Sequence, residues 1–265
     1  MHAQSVNPAS GYYGKIPATG DFIKYNLTRA FVEPWDDWLQ ESLAYSREKM
    51  ADKWLNAYLT SPIYRFVLTP GICGSNGWQG VIMPSVDSVG RYFPMTICAP
   101  LDAAENLFHH ILHENHWFPR AESLILSVLE DEISTDILNQ SMQTLDTAYL
   151  SDNPATDPLC SSGNKLGDSL AIREPLPEGD KEVQSTYSRL LNSVLLETGF
   201  AYSLWRTTGS EKLAPSLLLA QGLPPVKAAG ALLDGNWSRW GWMDNLPSLS
   251  VLSALGDDEG DPWDN

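Results

Sequence analysis

The sequence has little cysteine, few cations and no long apolar run, and each shortage excludes a class of protein. Only three cysteines occur in 265 residues; Cys73, Cys98 and Cys160 stand far apart, and none belongs to a CxxC pair. A disulfide framework is therefore excluded, and a reducing compartment is expected. No segment reaches the roughly 18 apolar residues that a membrane-spanning helix needs, so nothing is expected to insert into a membrane.

Positive charge is scarce as well. The chain has 17 basic against 33 acidic residues, a formal net charge of −16. Nucleic acids and anionic membranes are both recognised through Lys and Arg, so neither is an expected partner. The first eight residues show neither a cationic start nor an apolar stretch, and no signal peptide is expected. These features favour a cytoplasmic protein.

Large apolar side chains are plentiful, with 10 Trp, 10 Tyr and 7 Phe. Strand-like runs alternate with segments of helical spacing, which predicts an α/β fold with a sheet covered by helices. Within Gly11–Ile23, Tyr12, Tyr13 and Ile16 predict a short strand that Pro17 and Gly20 end. The other predicted strands are Ile63–Thr69, Trp78–Met83, Tyr92–Ala99, Phe200–Thr207 and Ser216–Ala220. The predicted helices are Glu33–Leu59, Ala103–Trp117, Glu122–Leu145, Val183–Leu196 and Pro224–Leu233.

Composition divides the chain into four parts. Residues 1–150 form the N-terminal α/β region, and residues 151–180, rich in Pro, Ser, Gly and Asp, are predicted to be a polar linker or loop. Residues 181–255 contain a further α/β part that is expected to complete the same domain. Residues 256–265 form an acidic tail that is expected to be disordered.

Two connecting segments place charged and small residues inside otherwise apolar, strand-like sequence. They are Gly14–Phe22 and Pro84–Pro94, and their glycines and prolines require a defined backbone path. We expect their charged side chains to meet near one end of a sheet, where they either fasten the loops together or contact an anion. The polar candidates in these segments are Lys15, Asp21, Ser85, Asp87 and Arg91.

Motifs for other chemistries are incomplete. Gly14-Lys15 lacks the remaining Walker A residues, and Pro17 prevents a helix from opening there. The histidines His109, His113 and His116 share one helical face, but no HExxH motif is formed, and an incidental cluster is favoured over a metal site. No catalytic triad can be assembled. The sequence therefore predicts no catalytic residues, metal or cofactor.

The two loop motifs resemble a known family. Gly11-Tyr-Tyr-Gly-Lys-Ile-Pro-Ala-Thr-Gly-Asp-Phe22 and Gly80-Val-Ile-Met-Pro-Ser-Val-Asp-Ser-Val-Gly-Arg-Tyr-Phe-Pro94 are similar to the signature stretches of the TagF family, also called ImpM, of type VI secretion-associated proteins. The best matches lie within residues 11–101. Ser203–Ser210 and Gly222–Pro224 resemble its later pattern, although Arg206 stands where a second aromatic residue is expected.

The resemblance implies a fold, a role and a partner. The implied fold is a three-layer α/β/α sandwich with a central mixed or antiparallel sheet. The implied role is that of a non-enzymatic accessory protein that represses type VI secretion after translation, by binding a scaffold with a forkhead-associated domain. Phosphatase or kinase regulators of the same system are further implied partners.

Two hypotheses therefore remain open. In the first, aromatic anchors within a charged rim bind the scaffold, although core packing is an alternative for each of them. In the second, Lys15 and Arg91 form an anion-binding or phospho-ligand-sensing module. The candidate anchors are Trp78, Trp205, Trp237, Trp240 and Trp242, of which the last three fall within six residues.

Overall fold

The computed structural model describes residues 10–101, 107–112, 117–130, 133–152, 190–195 and 201–243. The predicted acidic tail, residues 256–265, and nearly all of the predicted linker, residues 151–180, lie outside them. The strands are β1 (Gly11–Gly14), β2 (Ile23–Tyr25), β3 (Tyr64–Leu68), β4 (Gly77–Met83), β5 (Met95–Leu101), β6 (Tyr202–Thr207) and β7 (Ser216–Gln221). The helices are α1 (Arg29–Met50), α2 (Trp54–Leu59), α3 (Leu107–Leu112), α4 (Trp117–Ser127), α5 (Thr135–Asp152), α6 (residues 190–195) and α7 (Ala231–Asp234).

The strands form one seven-stranded sheet in the order β2-β1-β5-β4-β3-β6-β7. Every strand pair in the described residues is antiparallel. The α/β class is thus confirmed, and of the two expected sheet types the antiparallel one is observed. Strands β6 and β7 join the sheet beside β3, so residues 202–221 extend the sheet that residues 11–101 begin.

Apolar side chains cover both faces of the sheet. Successive residues of a strand point to opposite faces, and on β4 Trp78 and Ile82 join the core under α1 while Val81 and Met83 join the core under α4 and α5. A strand covered on both faces does not alternate apolar with polar residues, and Gln79 is the one polar side chain of β4. In the described residues, no helix combines the length and the apolarity needed to cross a membrane.

The core under α1 is built around three aromatic rings that contact one another. Trp35 lies parallel to Trp205 with centroids 6.0 Å apart, and Phe66 packs against both at 4.7 and 5.3 Å. The indole N–H groups are satisfied inside the protein: Trp35 donates to Thr96 Oγ1 at 3.1 Å and Trp205 to Ser203 Oγ at 2.9 Å. Large rings that also find a polar partner can be buried completely, and Trp205 is.

Two predicted helices are each broken in two. Glu33–Leu59 is interrupted after Met50, where Ala51 takes a positive φ of 46° and a 3₁₀ turn leads into α2. The turn brings Trp54 back over α1, and its indole N–H donates to Ser46 Oγ at 3.0 Å. Glu122–Leu145 is interrupted between α4 and α5, where Ser134 Oγ accepts the Ile137 amide and caps the new helix.

Other boundaries shift by a few residues. Strand β5 begins at Met95 rather than at Tyr92, because the preceding residues form a loop closed by a bridge between Val86 and Tyr92. The short strand β2 was not predicted. Arg206, the departure from the family pattern, donates to the carbonyls of Ile111 and Leu112 at the end of α3, at 3.2 and 3.4 Å. A cation at a helix C-terminus is a favourable arrangement.

The packing around Gly80 leaves no room for a side chain. A Cβ added there would lie 2.2 Å from the Phe66 ring, which the neighbouring tryptophans hold in place. We therefore expect Gly80→Ala to lower the free energy of unfolding by about 1–3 kcal/mol through overpacking. Urea unfolding measures this change. The control is Gly20→Ala, whose Cβ would meet Ser88 Oγ at an ordinary 3.4 Å; an equal loss in both variants would contradict the packing argument.

Candidate functional site

The antiparallel topology brings the two motif loops to the same end of the sheet. Strands β1 and β4 both end there and β5 begins there, because Tyr13 is paired with Thr96 and Met83 with Met95. The loop after β1, residues 15–22, therefore lies beside the loop after β4, residues 84–94. We call this pair of loops the two-loop tip.

A buried carboxylate lies at the centre of the two-loop tip. Asp87 Oδ2 accepts from Lys15 Nζ and from Arg91 Nε, both at 2.7 Å, and thus joins a cation from each loop. Its Oδ1 accepts the backbone amides of Arg91 at 2.8 Å and Val89 at 3.1 Å. Burial alone would raise the pKa of Asp87, but the hydrogen bonds from Lys15, Arg91 and Val89 hold it well below its ordinary value. The carboxylate is therefore a fixed anion that sets the loop's shape.

Backbone contacts bind the two loops to each other. The Ser88 amide donates to the Thr19 carbonyl at 2.9 Å, and the Arg91 guanidinium donates to the Gly20 carbonyl. Gly90 closes the turn with a φ of 85° and donates its amide to the Asp87 carbonyl at 3.0 Å. This region of the backbone favours glycine. The two-loop tip is thus held as one unit by bonds that cross between its loops.

A tyrosine from α2 fixes the start of the second loop. The Tyr58 hydroxyl donates to the Ser85 carbonyl at 2.8 Å and accepts the Ser85 amide at 3.0 Å. Burial raises the pKa of Tyr58, so the phenol stays neutral and can fill both roles at physiological pH. Ser85 is itself buried. It contributes to the tip through its backbone and presents no hydroxyl to solvent.

Apolar side chains occupy the outer surface of the two-loop tip. Val89 is 67% exposed and Phe22 is 46% exposed. The Phe22 ring is nevertheless held, since it stacks on Tyr13 at 5.6 Å, meets Phe93 edge-on at 4.8 Å and lies 4.7 Å from Lys15 Nζ. Exposed apolar groups on a rigid support are typical of a protein contact surface, because little ordering entropy is lost on binding.

The structure thus brings together three of the residues that the sequence singled out, Lys15, Asp87 and Arg91. Asp21 lies exposed on the loop after β1, and its carboxylate forms no ion pair with a cation among the described residues. Phe22, Val89 and Tyr58 were not predicted as site residues. Phe22 and Val89 lie inside the two quoted motifs, so the signal was present, but apolar loop residues do not by themselves indicate exposure. The binding roles of all these residues stay predictions.

The tryptophan anchors need correction. Trp205 and Trp78 are core residues, because Trp205 is enclosed by the aromatic rings under α1 and Trp78 donates its indole N–H to the Cys73 carbonyl at 2.9 Å.

Trp240 is also buried, since it packs directly on Gly230 and donates to the Asp234 carboxylate at 3.0 and 3.1 Å. Trp237 is half-buried and meets Trp242 edge-on at 5.6 Å. A short 3₁₀ turn at Ser238–Trp240 buries Trp240 and leaves Trp237 and Trp242 half-buried beside it.

Most of the predicted histidine cluster lies outside the described residues. His113, His116 and Glu105 lie outside the described residues, as does the side chain of His109. His110, which belongs to α3, is buried. Within the described ranges, no three His, Cys, Asp or Glu side chains are placed to hold a metal ion.

Comparisons with known proteins show to which family the chain belongs. The model of the TagF N-terminal domain, described as type VI secretion system-associated, matches residues 11–145, which include both loops of the tip. Among solved structures, the chain is similar to PA0076 from Pseudomonas aeruginosa PAO1, with 35% identity, a TM-score of 0.70, and coverage of 86% of this chain and 94% of that one. No curated protein matches. This is an α/β protein associated with type VI secretion. The chain belongs to the TagF family, and the resemblance is confirmed.

Asp87 makes the two-loop tip sensitive to acid. Because its pKa is lower in the folded protein than in the unfolded chain, ionised Asp87 stabilises the fold above about pH 4, the ordinary pKa of aspartate, and that stabilisation is lost as the pH falls below it. We expect Asp87→Asn to lower the Tm by several degrees at pH 7, and the difference from wild type to shrink towards pH 2. Thermal unfolding across this range measures both effects.

Asp21→Asn is the matched control, since it removes a carboxylate from the same tip without removing an ion pair. Its Tm should follow that of the wild type at every pH. A deficit of Asp87→Asn that did not change with pH would show that the carboxylate's charge contributes nothing to stability.

Proposed function

We propose that this protein is a non-enzymatic accessory protein of the type VI secretion system that represses the system after translation. It acts in the cytoplasm by binding a scaffold that contains a forkhead-associated domain. Family membership supports the association with type VI secretion. The observation that carries the binding role is the pair of exposed apolar side chains, Phe22 and Val89, held on loops that a buried ion network makes rigid.

The electrostatics of the tip favour a contact surface over a reaction centre. Lys15 and Asp87 neutralise each other, and the Tyr58 hydroxyl makes two backbone hydrogen bonds. A general acid, base or nucleophile needs a polar atom that can reach a substrate. The polar atoms of these buried groups instead form hydrogen bonds within the protein. We therefore expect a partner to recognise the surface above them by its shape.

Repression requires that the protein favour one state of its partner. A binding protein shifts a conformational equilibrium only by its difference in affinity for the two states. A tip with one fixed shape can provide such a difference, because it fits only the scaffold state that displays the complementary surface. The net charge of −16 would speed association with a basic partner surface and make it sensitive to salt.

The alternative, an anion-sensing module, has weaker support. Lys15 is only 4% exposed, and its ammonium lies between Asp87 and the Phe22 ring. Arg91 is more exposed, but its guanidinium bonds to Asp87 and to the Gly20 carbonyl. An incoming anion would have to compete with Asp87 for both cations. The interpretation that these pairs fasten the loops together is therefore favoured.

Two finer expectations stay predictions. A three-layer α/β/α architecture is supported by the helices that pack over apolar cores on each face of the sheet. Phosphatase or kinase regulators of the same system are further proposed partners, and isothermal titration with each purified regulator would measure their binding.

The contact surface is tested by Val89→Ser. Val89 is mostly exposed and supports no core contact, so its loss should leave the Tm unchanged while weakening binding of the forkhead-associated scaffold about five- to tenfold. Isothermal titration with the purified scaffold measures the Kd. The control is Leu126→Ser on α4, a 50% exposed apolar residue on the helix that covers the other core. Equal affinities of the two variants for the scaffold would remove the two-loop tip from the interface.

Anion sensing is tested with inorganic phosphate. Because both cations of the tip are bonded to Asp87 and Lys15 is buried, we expect no saturable binding in a calorimetric titration of the wild type, and no change in that result for Arg91→Ala. Saturable binding that Arg91→Ala abolishes would instead establish the anion-sensing alternative.

A further inference from the structure

Strand β7 forms one edge of the sheet and lacks the features that usually protect an edge. Among the described residues it pairs only with β6, and its six residues include no proline and no charged side chain. The opposite edge, β2, has only three residues, and the middle one, Lys24, is exposed. Short edges and edge lysines keep sheets from joining, whereas a longer apolar edge accepts another strand. The two edges of this sheet therefore differ in what they can bind.

The pairing with β6 determines which backbone groups of β7 point away from the sheet. The Gly222 amide donates to the Ala201 carbonyl at 2.8 Å, and these residues extend the register of β6 and β7 by one position. In an antiparallel pair, every second pair of opposite residues exchanges hydrogen bonds. The residues of β7 that bond to β6 are consequently Ser216, Leu218 and Ala220. The residues whose amides and carbonyls point outward are Leu217, Leu219 and Gln221.

Two of the outward-pointing residues also expose apolar side chains. Leu217 and Leu219 are 49% and 46% exposed, whereas Leu218 and Ala220, on the other face of the strand, are buried. Both exposed leucines lie on the face to which Leu204 belongs, since Leu219 is its partner across the two strands. Outward backbone groups beside apolar side chains are recognised by a β-strand that carries apolar residues at matching positions.

The edge of β7 is complementary to itself. Two copies of the strand, antiparallel about a two-fold axis at Leu218, would place Leu217 of one copy opposite Leu219 of the other, and the reverse. Both residues of each such pair direct their backbone groups outward, so each pair can exchange two hydrogen bonds. The same register places every exposed leucine opposite an exposed leucine. Side chains and backbone therefore favour one and the same pairing.

The distribution of charge favours this pairing as well. Residues 212–233 contain Lys212 and Lys227 but no Asp or Glu, in a chain whose net charge is −16, so two copies repel each other least along this edge. Glu211 and Lys227 are exposed and form no ion pair among the described residues. Because the pairing is antiparallel, Glu211 of one copy and Lys227 of the other lie towards the same end of the interface.

We propose that this protein forms a two-fold symmetric dimer in which the β7 strands of two copies pair about Leu218 and join the two sheets into one. The exposed leucines of both copies then form a single apolar cluster on one face of the joined sheet. One strand pair covers less area than a standard protein interface, so the dissociation constant should be micromolar. The two-loop tip is separated from this edge by β3 and β6, and each copy keeps its own tip.

Sedimentation velocity of the full chain tests whether the dimer forms. As the protein concentration rises from about 1 to about 200 μM, the measured mass should increase from that of one chain towards that of two. The mass of a single chain throughout this range would overturn the proposal.

Leu219→Lys tests whether the interface is at β7. Its ammonium would lie opposite Leu217 of the second copy, twice in each dimer, so the dissociation constant should rise about 30-fold or more. The matched control is Leu126→Lys, which changes a 50% exposed leucine on α4 and should leave the dimer intact. An unchanged dissociation constant for Leu219→Lys, or an equal rise in both variants, would exclude β7 as the interface.

Cysteine cross-linking measures the register with smaller side chains. Leu217→Cys and Leu219→Cys, mixed and mildly oxidised, should cross-link to each other, because opposite residues of a hydrogen-bonded pair lie about 5.5 Å apart at Cα. Either variant alone should cross-link far less, since its two cysteines would be diagonal neighbours about 7–8 Å apart. The wild type, in which Cys73 and Cys98 are buried, gives the background. A mixture that cross-links no better than the separate variants would contradict pairing about Leu218.

Discussion

The surface of this protein depends on the ion pairs and hydrogen bonds that the Asp87 carboxylate makes. The carboxylate lies buried between two cations that come from separate loops, and it also accepts two backbone amides of its own turn. A buried charge is tolerated only when it is paired and fully hydrogen-bonded. Because the pairing requires both loops in place, the fold can satisfy Asp87 only in the conformation that also presents Phe22 and Val89. The electrostatics of the interior thus determine the shape of the exterior.

Much of this arrangement could be predicted from the sequence. The motifs Gly14–Phe22 and Pro84–Pro94 combine glycine and proline with charged residues, and such segments favour a fixed turn at a strand end. That reasoning placed Lys15, Asp87 and Arg91 together, as the structure does. It could not separate Asp87 from Asp21, because burial decides which carboxylate is paired, and burial depends on a strand order that no local pattern encodes.

The errors have physical causes as well. Trp205 was a candidate anchor because an exposed tryptophan and a buried one look alike in sequence, and β6 lies inside a sheet covered on both faces, so alternation gives no guidance. The break after Met50 depends on the return of Trp54 to Ser46, a tertiary contact that outweighs helical periodicity. The 3₁₀ turn at Ser238–Trp240, which buries Trp240 among the neighbouring indoles, is not predicted by hydrophobic spacing.

The place of β6 in the sheet has a consequence for how the chain folds. Strand β3 lies between β4, its near neighbour in sequence, and β6, and the bond from the Tyr202 amide to Thr69 Oγ1 joins residues 133 positions apart. Long loop closures of this kind slow folding, because their entropy is lost before the contacts form. On the ribosome, β3 is an open edge until residues 202–207 emerge, and its apolar side chains need protection throughout that interval. A later part of the chain thus completes a core that an earlier part begins.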